Sequence, residues 1–206
     1  MTSKWIVEKP ASWDGGTAII LAHGAGQGMN SPFMVFFHQD MSSRGMLSVK
    51  FEFDYMEQER HAPDPQPKLR ARYRQVVEEV QSEYRPRRLI IGGKSMGGRV
   101  ASYIAGDIDV VSGLVFLGYP LHPPGKTNQL RDAHLYSLDR PMLFISGTKD
   151  TFAERDLLES VVGRIGGRAT LLWIERGDHS LTVKRGDQSS LHTAAGEIDK
   201  WVRSLT

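Results

Sequence analysis

Six short apolar runs, rich in aliphatic and β-branched side chains, recur at residues 17–22, 47–53, 89–91, 113–117, 142–145 and 170–174. Each is too short for a buried helix and too uniformly apolar for a strand with one face in water. Near-continuous apolarity in short runs marks strands covered on both faces, which is the condition of a parallel sheet with crossover helices. Amphipathic stretches lie between the runs, at about residues 32–44, 68–84, 97–105, 154–165 and 191–202. The second has the clearest helical period, with Leu69, Tyr73, Val76, Val77 and Val80 spaced among charged residues and Pro86 closing it. The alternation predicts an α/β chain, a three-layer α/β/α sandwich on a mostly parallel sheet of at least six strands, with ligands taken at the strands' carboxyl ends. Trp5 to Lys9 supplies at most one additional antiparallel strand.

The 206 residues suit a single domain, 1–206, with few insertions. Two segments lack a clear period and read as surface connections: 54–67, with prolines at 63, 65 and 67, and 119–139, with a short helix expected near 128–134. Twenty-six basic against twenty-four acidic side chains give a formal charge of +2, too balanced to indicate a nucleic-acid partner. The basic cluster Arg85-Pro86-Arg87-Arg88 reads as a solvated helix end. Cysteine is absent, which removes disulfides, thiolate nucleophiles and cysteine metal sites together. The N-terminus Met1-Thr2-Ser3-Lys4-Trp5 lacks the apolar stretch of a signal peptide and no run is long enough to span a bilayer, so no membrane association and a cytoplasmic location are expected.

Chemistry concentrates in Gly92-Gly93-Lys94-Ser95-Met96-Gly97-Gly98-Arg99, where Gly-x-Ser-x-Gly directly follows an apolar strand and directly precedes a helix. That context is the one a nucleophile on a strand-to-helix elbow needs: small neighbours let strand and helix approach, and the turn lifts the hydroxyl to the positive end of the helix. A phosphate loop ending in Gly93-Lys94-Ser95 is excluded because its first glycine would fall on Arg88. A serine hydroxyl needs a base, and His179 lies after the last apolar run and before the last helix. An imidazole needs a carboxylate to hold its tautomer, and Asp150 closes the turn after the preceding strand. The chain order Ser95, Asp150, His179 is the order of this elbow architecture. Asp178 adjoins His179, but the side chains of neighbouring residues diverge, so Asp150 is the expected orienting group.

Charge developing on an attacked carbonyl oxygen calls for two backbone N–H groups. Met96, just after the serine, is the first, and the loop after the first strong strand, Leu21-Ala22-His23-Gly24-Ala25-Gly26, supplies the second, from Ala25 in preference to Gly24. His23 reads as a side chain that holds this loop. The seven histidines are scattered without zinc-site spacing, so neither a metal nor any other cofactor is expected.

The segments His23-Gly24-Ala25-Gly26, Gly92 to Arg99, Gly118-Tyr119-Pro120-Leu121-His122-Pro123-Pro124-Gly125 and Ser146-Gly147-Thr148-Lys149-Asp150 together resemble a group within the α/β-hydrolase superfamily. That group includes testis-expressed hydrolase-like proteins, the hydrolase-like domain of a chromatin acetyltransferase complex subunit, and many small bacterial proteins. The resemblance runs from about Thr17 to the end and implies the α/β-hydrolase fold, with Ser95, Asp150 and His179 at its three triad positions. A more distant resemblance is to dienelactone hydrolases, which use a cysteine where this chain has Ser95. Larger members of the superfamily carry a cap domain after the strand that ends at Tyr119; a strand resumes at Met142, which leaves no room for a lid of several helices.

A shallow site is therefore expected, rimmed by the substrate-binding candidates Gly24, Tyr119, Leu121 and His122 and by residues 27–33. It suits a small-molecule acyl substrate, an ester, thioester or similar, cleaved through an acyl-enzyme on Ser95. Transfer of the acyl group to another acceptor, and a non-catalytic binding or scaffold role, stay open at this point, as does the oligomeric state.

Overall fold

The computed structural model describes residues 5–205; Met1 to Lys4, on which part of the reading of the N-terminus rests, lie outside them. Seven strands form one sheet: β1 (Trp5–Glu8), β2 (Thr17–Ala22), β3 (Leu47–Phe51), β4 (Arg88–Lys94), β5 (Val111–Leu117), β6 (Met142–Gly147) and β7 (Ala169–Ile174). Their spatial order is β1-β3-β2-β4-β5-β6-β7. β1 runs antiparallel to β3, and the other neighbouring pairs are parallel. After β2 the chain adds β3 on one side and β4 on the other. The carboxyl ends of β2 and β4 thus flank the point where the order reverses, which is where open α/β sheets place their ligands.

Six α-helices cover the sheet: α1 (Pro32–Ser43), α2 (Asp54–Glu57), α3 (Gln66–Tyr84), α4 (Met96–Ile104), α5 (Arg155–Ile165) and α6 (Ser189–Ser204). The strands bury both faces with a period of two. Ala18, Ile20 and Ala22 of β2 join one core with the apolar stripes of α3, α4 and α5, while Ile19 and Leu21 join a second core with α1 and α6. The stripe read from the sequence of α3 lies against the sheet, with Leu69, Tyr73, Val76, Val77 and Val80 each at most 2% exposed. Helix ends follow local chemistry. The Ser31 hydroxyl accepts from the Met34 N–H ahead of Pro32 at the start of α1, and α3 stops where Arg85 turns left-handed (φ 48°) before Pro86.

Two segments differ from their sequence reading. Residues 54–67 do not run over the surface throughout: Asp54–Glu57 forms α2, Tyr55 is fully buried, and α3 begins at Gln66 with Pro67 in its first turn. A proline there costs nothing, because the N–H it lacks has no acceptor within the helix, so Pro67 stands in the first turn of α3 where the sequence reading placed it in a loop. In 119–139 the helix expected near 128–134 is replaced by one 3-10 turn at Ala133–Ser137, and the segment's first residues are buried.

The sheet and α4 meet at unusually short range. A Cβ on Gly93 would stand 2.1 Å from the Ala22 carbonyl oxygen, and one on Gly97 would stand 2.2 Å from the same atom. Both contacts are to backbone, which has nowhere to move. Gly97→Ala is expected to lower the unfolding free energy by about 3 kcal/mol or more. Gly163→Ala, in α5 where a Cβ meets nothing within 4 Å, is expected to raise it by about 0.4–1 kcal/mol. Urea unfolding of the two variants checks both signs.

Candidate active site

The tight approach of β4 and α4 leaves one residue to reverse direction between them, and that residue is Ser95. Its backbone stands at φ 48° and ψ −113°, outside the regions a non-glycine residue ordinarily takes. Such a conformation costs of order 1–3 kcal/mol and persists only where the surroundings impose it. The Ser95 N–H donates to the Leu117 carbonyl at 3.0 Å, which ties the elbow to β5. The side chain then faces the loops that leave β2, β6 and β7.

From β7, the loop carrying His179 brings Nε2 to 2.8 Å from Ser95 Oγ. From β6, Asp150 places its two carboxylate oxygens 2.9 and 2.8 Å from His179 Nδ1. The Asp150 side chain is fully buried, and its Oδ1 also accepts the Phe152 N–H at 2.8 Å. With Nδ1–H donating to Asp150, Nε2 is left unprotonated toward the serine, the tautomer a general base requires. The Phe152 ring lies against the imidazole, with centroids 4.3 Å apart. Asp178, the rejected neighbour, is occupied elsewhere: its Oδ1 accepts from the Ser180 and Thr182 N–H groups at 2.8 and 3.0 Å and shapes the loop.

Two backbone N–H groups expected to face a substrate sit beside this line. At the elbow the Ser95 N–H is engaged, so the next donor along the chain is Met96, the first residue of α4. In the loop after β2 the Gly26 N–H donates to the Tyr55 hydroxyl at 3.3 Å, and Ala25 is exposed just before it. Gly24 lies so near that a Cβ on it would sit 3.6 Å from Ser95 Cβ. His23 is fully buried, its Nδ1 donating to the Gly24 carbonyl at 2.7 Å and its Nε2 accepting the Phe53 N–H at 3.2 Å, which pins the loop to the end of β3.

Residues 15–205 match the family described as Alpha/beta hydrolase domain. The chain belongs to that family. Among solved structures, the fold of this hydrolase-family chain is similar to that of Est1E from Butyrivibrio proteoclasticus with ferulic acid bound. That likeness has a TM-score of 0.77 at 12% identity and covers 98% of this chain and 94% of that one. It is similar as well to a serine hydrolase without a lid from Xanthomonas campestris (TM-score 0.76, 18% identity, 97% and 87% covered). A dienelactone hydrolase from Anabaena variabilis gives a TM-score of 0.75 at 18% identity, with 98% and 91% covered.

The rim of the site in this α/β-hydrolase differs from the one read from sequence. Tyr119, Leu121 and His122 are at most 1% exposed and are not among the residues that line the cavity beside Ser95. The Tyr119 hydroxyl donates to the Arg131 carbonyl at 2.7 Å. The His122 Nδ1 pairs with the Pro123 carbonyl at 3.0 Å, and its Nε2 accepts the Glu154 N–H at 3.1 Å, so this histidine fastens the start of α5 to the loop after β5. A polar residue after a strand resembles a rim residue in sequence; buried backbone groups that need partners decide otherwise. The cavity beside Ser95, about 430 Å³, is lined by Ala25 and Met96 together with Pro63, Gln66, Leu69, Arg99, Pro120, Arg131 and Phe152, among others. Of these, Arg99 was legible as a neighbour, four residues past Ser95 on one helical face. Arg131, Phe152 and the 63–69 segment had no sequence signal that placed them there.

Lys94, between the two glycines of the elbow, is 4% exposed. Its ammonium donates to the His179 carbonyl at 3.1 Å and to Ser180 Oγ at 2.9 Å, and lies 4.6 Å from the Phe33 ring centre. This amine binds the histidine loop to the strand that carries the serine. Burial lowers its pKa from 10.5 to about 8, against the attraction of Asp178 and Asp150. Between those two values the unfolded chain holds a proton on this side chain that the folded chain does not, so the residue's contribution to stability rises as pH rises through that window and its cost is fully present below about 8. Comparing urea unfolding of wild type and Lys94→Met at about pH 7.5 and about pH 10 is expected to show the difference shifting in favour of wild type at the higher pH.

Proposed function

We propose that the chain is a serine hydrolase of carboxylic esters or thioesters of small molecules, with Ser95 as nucleophile, His179 as general base and Asp150 as its orienting carboxylate. The observation that carries this reading is the pair of hydrogen bonds, one between Ser95 Oγ and His179 Nε2 and one between His179 Nδ1 and Asp150, that join in one unbroken line. A scaffold has no need of either. Membership of the alpha/beta hydrolase family agrees with it.

In the reaction, Ser95 Oγ adds to the carbonyl carbon as its proton passes to His179 Nε2. The carbonyl π electrons move onto oxygen, where the Met96 and Ala25 N–H groups donate to the new negative charge. Asp150 offsets the imidazolium through Nδ1–H. Collapse breaks the bond to the leaving alkoxide or thiolate, which takes the proton from Nε2. Water then adds to the acyl-enzyme by the same route, its proton passing through His179 to Ser95, and the carboxylic acid leaves. A cavity of about 430 Å³ accommodates a short or medium acyl chain. Between β5 and β6 the described residues form only loops and one 3-10 turn, so nothing there folds over Ser95 as a helical lid.

Intact mass after fluorophosphonate treatment is expected to show one adduct on the wild-type chain and none on Ser95→Ala or His179→Ala. Asp150→Asn is expected to lower kcat for a 4-nitrophenyl ester by on the order of 10³–10⁴. Absence of an adduct on the folded wild-type chain would refute the proposal.

A further inference from the structure

The wall of the Ser95 cavity carries two guanidinium groups with no acid to answer them. Arg99 extends from the first turn of α4 and Arg131 from the segment between β5 and β6, and both line the cavity together with Ser95. Arg99 Nε is buried without a hydrogen-bond partner, and among the described residues the Arg99 guanidinium forms no ion pair. Arg131 spends one Nη1–H on the Pro120 carbonyl at 3.3 Å and likewise meets no carboxylate. The acid that lines the same cavity, Asp64, is already paired with Arg60 at 2.7 Å and Lys68 at 3.3 Å. Asp132, next in sequence to Arg131, instead accepts the Tyr136 hydroxyl.

Neighbouring groups register the uncompensated charge. The pKa of Arg131 is lowered, first by burial and then by repulsion from Arg99. His134 is pushed down to about 4, by burial and then by the positive charges of Arg70 and Arg99. Holding like charges together in a partly dry wall is unfavourable unless something else meets them. Guanidinium groups are also the side chains whose fork geometry matches a planar or tetrahedral oxyanion.

We infer that the acyl substrate of this site carries an anionic oxygen group, a carboxylate or a phosphate monoester, which Arg99 and Arg131 bind while Ser95 meets the ester carbonyl. This inference rests on the proposed nucleophilic role of Ser95 for its catalytic part, and on the cavity wall alone for its binding part. The arginines act in substrate recognition, and their contribution falls with ionic strength because the cavity is open to solvent.

Two esters with the same adipoyl chain test it: mono-4-nitrophenyl adipate, which ends in a carboxylate, and its neutral methyl ester. The wild-type chain is expected to favour the anionic ester in kcat/KM by about tenfold or more at low salt. The ratio is expected to fall by on the order of tenfold in Arg99→Gln and in Arg131→Gln, chiefly through KM, and to be partly retained in Arg131→Lys. Equal handling of the two esters by wild type, or a ratio unchanged in folded variants, overturns the inference. Calorimetric titration of the Ser95→Ala chain with monomethyl adipate and with butyl phosphate separates this from the catalytic reading, because it needs no chemistry at the serine. Binding that is weakened by adding Arg99→Gln supports the anion site, and the tighter of the two ligands names the oxyanion. Absence of binding by both overturns it, whatever fluorophosphonate does at Ser95.

Discussion

The rest of the structure depends on one close contact, the approach of β4 and the start of α4 to the Ala22 carbonyl of β2. Two side-chain-free residues, Gly93 and Gly97, make that approach sterically available. Once strand and helix are this near, the chain must reverse over a single residue, and the φ of 48° at Ser95 follows from lack of room. The strain is held by a surrounding that cannot relax: the Ser95 N–H on Leu117, and the Tyr73 hydroxyl set between β2 and β4, 2.9 Å from the Ile20 carbonyl and 2.6 Å from that of Gly92. A serine standing clear of the sheet is thus a packing result before it is a chemical one.

Around that serine, each polar partner comes from a different strand end, and each is fixed by bonds that have nothing to do with the serine. Asp150 is held by the Phe152 N–H, the loop of His179 by Asp178 and by the Lys94 amine, and the loop after β2 by His23. Such supporting bonds matter because they hold His179 Nε2 at 2.8 Å from Ser95 Oγ. Lys94 is the costly member of the set, a buried amine retained where an apolar side chain would pack more cheaply. Its place at the carboxyl end of β4, next to Ser95, lets one residue tie the histidine loop to the strand that carries the serine.

Much of this was legible in the chain. The strands from 17–22 to 170–174, the helical stripe of α3, and the order Ser95, Asp150, His179 could be written down because each rests on local signals: apolar periodicity, glycines about a serine, and a polar residue at a strand's end. The rim was misread for the same reason. Tyr119, Leu121 and His122 share the position after a strand with Asp150, but their surroundings bury them, and the sequence holds no record of which backbone groups nearby lack partners. Pro67 was placed in a surface connection although it stands in the first turn of a helix, because a proline carries the same letter in both.

What the sequence by itself determined is the layered sheet and the serine elbow between β4 and α4, since burial period and the glycines about a serine are written over a few consecutive residues. What only the tertiary structure decided is which side chains share the cavity with Ser95. Arg99 reaches it along one helical turn, but Arg131, Phe152 and the 63–69 segment arrive from separate connections. Their meeting depends on how long loops settle against a finished sheet, and on a balance of charges across the cavity that no local stretch of chain contains.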